Sequence, residues 1–188
     1  MGKVMNTLRR FFRRAAREED GTATIPFVIF VPFFLLLVMS SLEMGTLMTR
    51  HVLLERALDL SVRDLRLGTW TPTDPNNAGN ELRARICNYF GLLSNCPQTL
   101  MIELRPVSKV TWAPLSSGAN CVDRSKPVNV NPLPTFGTSN EMMLIRACMK
   151  VNPIFPTSGL GFALSKDGSG AYTLVSSSAF VNEPRPGS

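Results

Sequence analysis

Few residues in this chain are of a type able to do covalent, metal or acid–base chemistry. There are four cysteines, one histidine and a scatter of carboxylates. Cys87, Cys96, Cys121 and Cys148 show no Cys-x-x-Cys spacing, and His51 stands well before all of them. The ligand pattern of a zinc site is therefore missing, and no metal is expected. An even number of cysteines in an oxidising compartment reads instead as two disulfides, and four cysteines allow three pairings. We expect Cys87 with Cys96, closing a short loop through Gly91 and Pro97, and Cys121 with Cys148, tying a polar loop to a strand.

Catalysis is short of parts. His51 would have to serve any Ser-His or Cys-His arrangement, and no nucleophile is assigned to it. The run from Gly159 to Lys166 lacks the GxxxxGK[ST] spacing of a phosphate loop, and Gly168-Ser169-Gly170 reads as a hairpin turn. No carboxylate pair stands out. We expect no catalytic residue, no cofactor and no enzyme activity.

The elements that would carry these residues begin with a membrane segment. A basic stretch holding Lys3, Arg9, Arg10, Arg13, Arg14 and Arg17 runs into Glu18-Glu19-Asp20 and Gly21. From Thr22 to Leu42 no ionisable side chain appears. At about 1.5 Å per residue, roughly twenty helical residues cover a ~30 Å hydrocarbon layer, so a single span is expected. The formal charge is +6, and those six cations all precede the span. They suit an anionic lipid surface and a cytoplasmic N-terminus, rather than nucleic acid. Alternating with them, Leu8, Phe11, Phe12, Ala15 and Ala16 let the leader lie along the membrane. Glu43 is the one acidic group near the span. An ionisable group within a membrane is a functional candidate by default, whereas a place near the outer end lets it reach the headgroups.

Beyond Glu43 the helical period continues through Leu47, Leu54, Leu58, Val62 and Leu65 with charges between, and Gly68 and Pro72 stop it. One long helix from about Pro26 to Leu67 is expected, kinked at Pro32, which leaves the Val28 carbonyl without its helical donor. A second helix is read from Asn80 to Cys87, with Asn80 as its cap. Strands follow at Leu100 to Arg105, with Glu103 on the water side, at Lys109 to Ala113, at Met142 to Val151, and at Ala171 to Val181. The stretch from 114 to 140 is read as a polar surface loop pinned at Cys121. Helices first and strands after point to an α+β domain with a small antiparallel sheet packed on the long helix. The chain then divides into a basic leader (1–21), a transmembrane helix (22–45), an extracytoplasmic domain (46–182) and a disordered tail (183–188).

Glu18-Glu19-Asp20-Gly21-Thr22-Ala23-Thr24-Ile25-Pro26-Phe27-Val28, the apolar run containing Pro32, and Ser41-Leu42-Glu43-Met44-Gly45 resemble the N-terminal signature of TadE/TadG-like proteins. These are pseudopilins of the Tad (tight adherence, Flp-type) pilus machinery. Residues 48–69, Cys121-Val122-Asp123-Arg124-Ser125 and Ser176-Ser177-Ser178-Ala179-Phe180 are also similar to TadE-type proteins. The resemblance implies a pilin-like fold and a cut by a prepilin peptidase between Gly21 and Thr22. It also implies other pilins, pseudopilins and Tad assembly proteins as partners, beside membrane lipids. Where the pilin pattern has a glutamate five residues after the cut, this chain has Pro26, which suits the first turn of a helix. The expected role is structural: a minor pilin or pseudopilin taking part in assembly of a Tad-type pilus. It would sit in the inner membrane or the pilus, with its domain in the periplasm. Phe27, Phe30, Phe33, Phe34 and Leu37, with Pro32 and Glu43, are the expected helix-packing positions, lipid exposure being the alternative for each. Two other readings stand beside it: an uncleaved, membrane-anchored periplasmic assembly factor, favoured by Pro26, and a secreted protein with a signal peptide. The last is disfavoured by the length of the apolar run and the lack of an Ala-x-Ala site.

Overall fold

The computed structural model describes residues 24–74, 76–91, 95–111, 119, 121–122, 136–164 and 166–183. Helix α1, Thr24–Arg66, is 43 residues long and continues through Pro32 without ending. It matches the expected long helix to within two residues at each end. Its last two turns carry Arg63 and Arg66, which suits the negative end of the helix dipole. Gly68, at φ 66°, closes it by donating to the Leu65 carbonyl at 3.2 Å.

Helix α2, Ala78–Phe90, starts two residues earlier than expected, with Asn77 rather than Asn80 at its cap. The preceding loop explains the shift. Glu81 accepts from the amides of Thr73 at 2.8 Å and Asp74 at 3.1 Å, so the turn formers are folded back onto the first turn. Gly91 ends α2 in the left-handed region at φ 68°, its amide bonded to the Cys87 carbonyl at 3.1 Å. A single turn, α3 (Cys96–Thr99), leads directly into the sheet.

The sheet has three strands in the order β1 (Leu100–Pro106), β2 (Met142–Val151), β3 (Tyr172–Val181), antiparallel throughout. The register puts Leu100, Ile102 and Leu104 opposite Met149, Ala147 and Ile145, and these in turn opposite Leu174, Ser176 and Ser178. That face is the core, closed by Leu54, Ala57, Leu58, Val62 and Leu65 of α1 and by Leu82, Ile86 and Phe90 of α2. The apolar positions of α1 that alternate with charges are thus the ones buried on the sheet. The expected α+β arrangement, with a small antiparallel sheet on the long helix, is what the molecule shows.

Two strand expectations fail. Lys109 to Thr111 form a turn, and Val110 is 89% exposed; Trp112 and Ala113 lie outside the described residues. Two alternating apolar residues there do not make a strand, because the amides of Val110 and Thr111 are turned back onto the Ser108 hydroxyl, each at 3.3 Å, rather than toward a neighbouring strand. Glu103, expected in water, is 2% exposed. The second face of the sheet is not left to solvent, since Cys121 is bonded to Cys148 on that face and Val122 is buried beside it. Glu103 accordingly pairs with Arg146, its register partner on β2, at 3.4 Å.

Both disulfides form in the expected pairing, Cys87 with Cys96 at a Cα separation of 5.6 Å and Cys121 with Cys148 at 5.3 Å. Most of the 114–140 loop lies outside the described residues. Glu183, read as the start of a loose tail, is held to the end of α1. Its amide donates to the Arg66 carbonyl at 3.4 Å and its carboxylate pairs with the Arg66 Nε at 3.0 Å. Residues 184–188 lie outside the described residues.

The Gly168–Gly170 turn joins the sheet as expected, and Asp167 organises it. One carboxylate oxygen of Asp167 accepts from the Ser169 hydroxyl at 2.7 Å, the Ser169 amide at 3.0 Å and the Ala171 amide at 2.9 Å, while the other faces Lys150 at 3.3 Å. The Ser169 hydroxyl, with the Ala171 amide and Lys150 acting against burial, lowers the Asp167 pKa to about 2. Because the folded value lies below the unfolded one, this stabilisation is present above about pH 4 and is lost as pH falls toward 2. Asp167→Asn is expected to cost about 1–2 kcal/mol at pH 7 and almost nothing at pH 2. Urea melts of both proteins at the two pH values check this; an equal deficit at both would sink it.

Candidate functional site at the membrane-proximal junction

Among the described residues, one helix is long and apolar enough to cross a membrane, and it is the N-terminal part of α1. Phe27, Phe30, Phe33, Phe34 and Leu37 are between 58% and 74% exposed, so none of them is used by the domain. Such a stripe is sustained only by lipid or by other apolar helices. Pro26 lies exposed in the first turn, where it takes no donor from the helix. Gly21 and Thr22 lie outside the described residues.

The domain takes hold of α1 inside the segment read as membrane-spanning. Glu43 is 0% exposed. Its carboxylate accepts from the Ile154 amide at 3.0 Å and the Phe155 amide at 2.8 Å, both just beyond β2. It is therefore neither a group waiting in the bilayer nor one reaching for headgroups, but the acceptor that pins the β2–β3 connection to the helix. Charge-assisted bonds to backbone amides are among the stronger neutral-to-ion contacts a protein makes.

The pinned connection folds into a single turn, α4 (Gly159–Ala163). Ser158 caps it, accepting from the Gly161 amide at 3.0 Å and donating to the Phe155 carbonyl at 2.8 Å. Gly159 stands where an added Cβ would meet the Ser40 hydroxyl at 3.4 Å, so α4 lies directly on α1 at Ser40. About two helical turns beyond Glu43, Arg50 donates to the Asn152 carbonyl at 2.9 Å and to the Tyr172 hydroxyl at 2.8 Å. His51 sits 3.2 Å from the Val175 carbonyl on β3 and 3.6 Å from Glu55. Its role is to hold helix to sheet, as a polar interface residue.

The far end of α1 is fastened separately. Asp64 accepts from Arg85 at 2.6 Å and from the Tyr89 hydroxyl at 2.8 Å, and the Arg85 guanidinium lies 5.5 Å from the Trp70 ring and 5.6 Å from that of Tyr89. Burial alone would raise the Asp64 pKa, but the Arg85 and Tyr89 hydrogen bonds outweigh it and the net shift is downward. Arg83, nearly buried on α2, donates to Asn80 at 3.3 Å, and burial lowers its pKa.

No three His, Cys, Asp or Glu side chains among the described residues gather as a metal site would require. The open groove between α1 and β3, lined by Arg63, Arg66, Phe180 and Glu183, is crossed by the Arg66–Glu183 ion pair. No protein-family model, no curated protein and no solved structure matches this chain.

Sequence reasoning placed Glu43 at a boundary but missed its partners, since backbone amides leave no mark in a sequence. The turn at Gly159–Ala163 and its cap Ser158 were missed as well, although a serine just ahead of a glycine-rich run is the signal that could have marked them.

Proposed function

We propose that this chain is a membrane-anchored pseudopilin-type structural protein that takes part in assembly of a Tad-type pilus. The basic leader stays in the cytoplasm, α1 crosses the inner membrane, and the disulfide-bonded domain stands in the periplasm. The observation that carries this reading is the single uninterrupted α1. Its first half presents exposed aromatic and aliphatic side chains with no use in the domain, and its second half is the spine of the α+β core. Such a design supports assembly by packing apolar helices while displaying a folded head. The sequence around Gly21 and Thr22, which resembles that of the TadE/TadG-like proteins, supports the same reading.

Pro26, standing where the pilin pattern has a glutamate, favours a second reading, an uncleaved anchored factor that binds pilus components from the periplasmic side. The N-terminal sequence and intact mass of the protein from native membranes separate the two. A chain beginning at Thr22 is expected for the pseudopilin. A start at Met1 or Gly2 moves the weight to the anchored factor, and a start beyond about residue 40 would mean a secretory signal and overturn both.

A further inference from the structure

We propose that the β2–β3 connection is a membrane foot, a patch of the domain that rests in the interface of the leaflet on the domain's own side. The inference depends on α1 spanning the bilayer, and goes beyond it by giving the folded domain a lipid-binding surface of its own.

Depth comes first. The uncharged run on α1 ends at Leu42, which sets the boundary of the hydrocarbon near that residue. The connection touches α1 at Ser40 through Gly159 and at Glu43 through the amides of Ile154 and Phe155. It therefore lies alongside the last turn of the span and cannot stand clear of the interface while α1 crosses the membrane.

Chemistry agrees with depth. Between Lys150 and Lys166 the chain has no ionisable residue. Phe162 is 83% exposed and Ile154 is 48% exposed, although nothing in the domain uses either side chain. The cations at the two ends are turned to partners on the protein, Lys150 toward Asp167 and Lys166 toward the Pro156 carbonyl at 3.3 Å. An apolar aromatic tip on an uncharged loop rich in proline and glycine, with both flanking lysines occupied by the protein itself, matches a segment that enters the interface through apolar contact. Because the patch continues the exposed face of α1, the same lipid covers both.

The test uses the full chain reconstituted in phosphatidylcholine vesicles that contain a phosphatidylcholine with a diazirine in the upper acyl chain. After illumination, lipid adducts are mapped by peptide mass spectrometry. Adducts are expected on residues 152–164 as well as on 25–42, and Phe162→Asp is expected to lower the yield on 152–164 by about tenfold with the α1 yield unchanged. Phe162 is exposed, so the variant should keep the wild-type melting curve, and that curve is recorded beside the labelling. Adducts confined to α1 overturn the foot and leave the span standing. Adducts on neither overturn both.

Discussion

Glu43→Ala is expected to lower the stability of the domain by about 3 kcal/mol and to release the β2–β3 connection from α1. The substitution strands the amides of Ile154 and Phe155 in a site where the carboxylate is 0% exposed. Hydrogen bonds to a charged acceptor contribute about 1.5–3 kcal/mol each, and unsatisfied buried donors cost about 1–3 kcal/mol each. Against this, removing a buried carboxylate recovers its desolvation cost, which keeps the net well below the sum of the two bonds. Glu43→Gln keeps one acceptor oxygen and should lose only about 1 kcal/mol. Urea denaturation in detergent gives the stabilities, and amide hydrogen exchange at 154 and 155 reports the local effect. Alanine within about 0.5 kcal/mol of wild type, with exchange unchanged, would show that the carboxylate holds nothing.

Removing the Cys121–Cys148 bridge should be costlier than removing Cys87–Cys96. The bridged residues are 27 apart in one case and 9 in the other. In the chain-entropy model that corresponds to about 3.5 kcal/mol against about 2.5 kcal/mol. Together they approach the whole stability of a small domain, about 5–15 kcal/mol. The longer bridge also fastens the chain at Val122 over the face that buries Glu103, so its loss wets an ion pair as well as lengthening a loop. Cys121→Ser/Cys148→Ser is expected to melt roughly 10 °C or more below wild type, and Cys87→Ser/Cys96→Ser by a smaller margin. Calorimetry of the two variants, with and without reductant, tests the order. If the short-loop variant proves the less stable, loop entropy is not what these bridges supply.

The parts of this molecule that were legible in the sequence are those set by periodicity and loop length. The alternation from Met143 to Val151 marked β2 and its core face, the spacing of Leu54, Leu58, Val62 and Leu65 marked the buried side of α1, and local closure chose the disulfide partners. The failures share a cause: alternation identifies two faces but not what covers the second. Glu103 has the parity of a solvent residue, yet a strap tied at Cys148 takes the water away from it. Glu43 is the same problem across a longer distance, since its partners at Ile154 and Phe155 are backbone groups brought there by the antiparallel β2. Asp167 carries no comparable signature, because Gly168 and Gly170 mark a turn without marking the acceptor that holds it.

An unbroken α1 also makes the molecule a lever. With no hinge between the apolar half and the half that carries the core, the domain inherits whatever inclination the helix takes in its surroundings. The portion from Glu43 to Arg66 is roughly 36 Å long at 1.5 Å per residue, so a lean of about 20° carries its far end sideways by roughly 12 Å. Glu43 and Arg50 act close to the fulcrum and the Asp64–Arg85 pair near the tip, so both ends of the arm are bolted to the load. In the membrane setting proposed above, a small change in bilayer thickness taken up as tilt would thereby become a larger sideways displacement of the head.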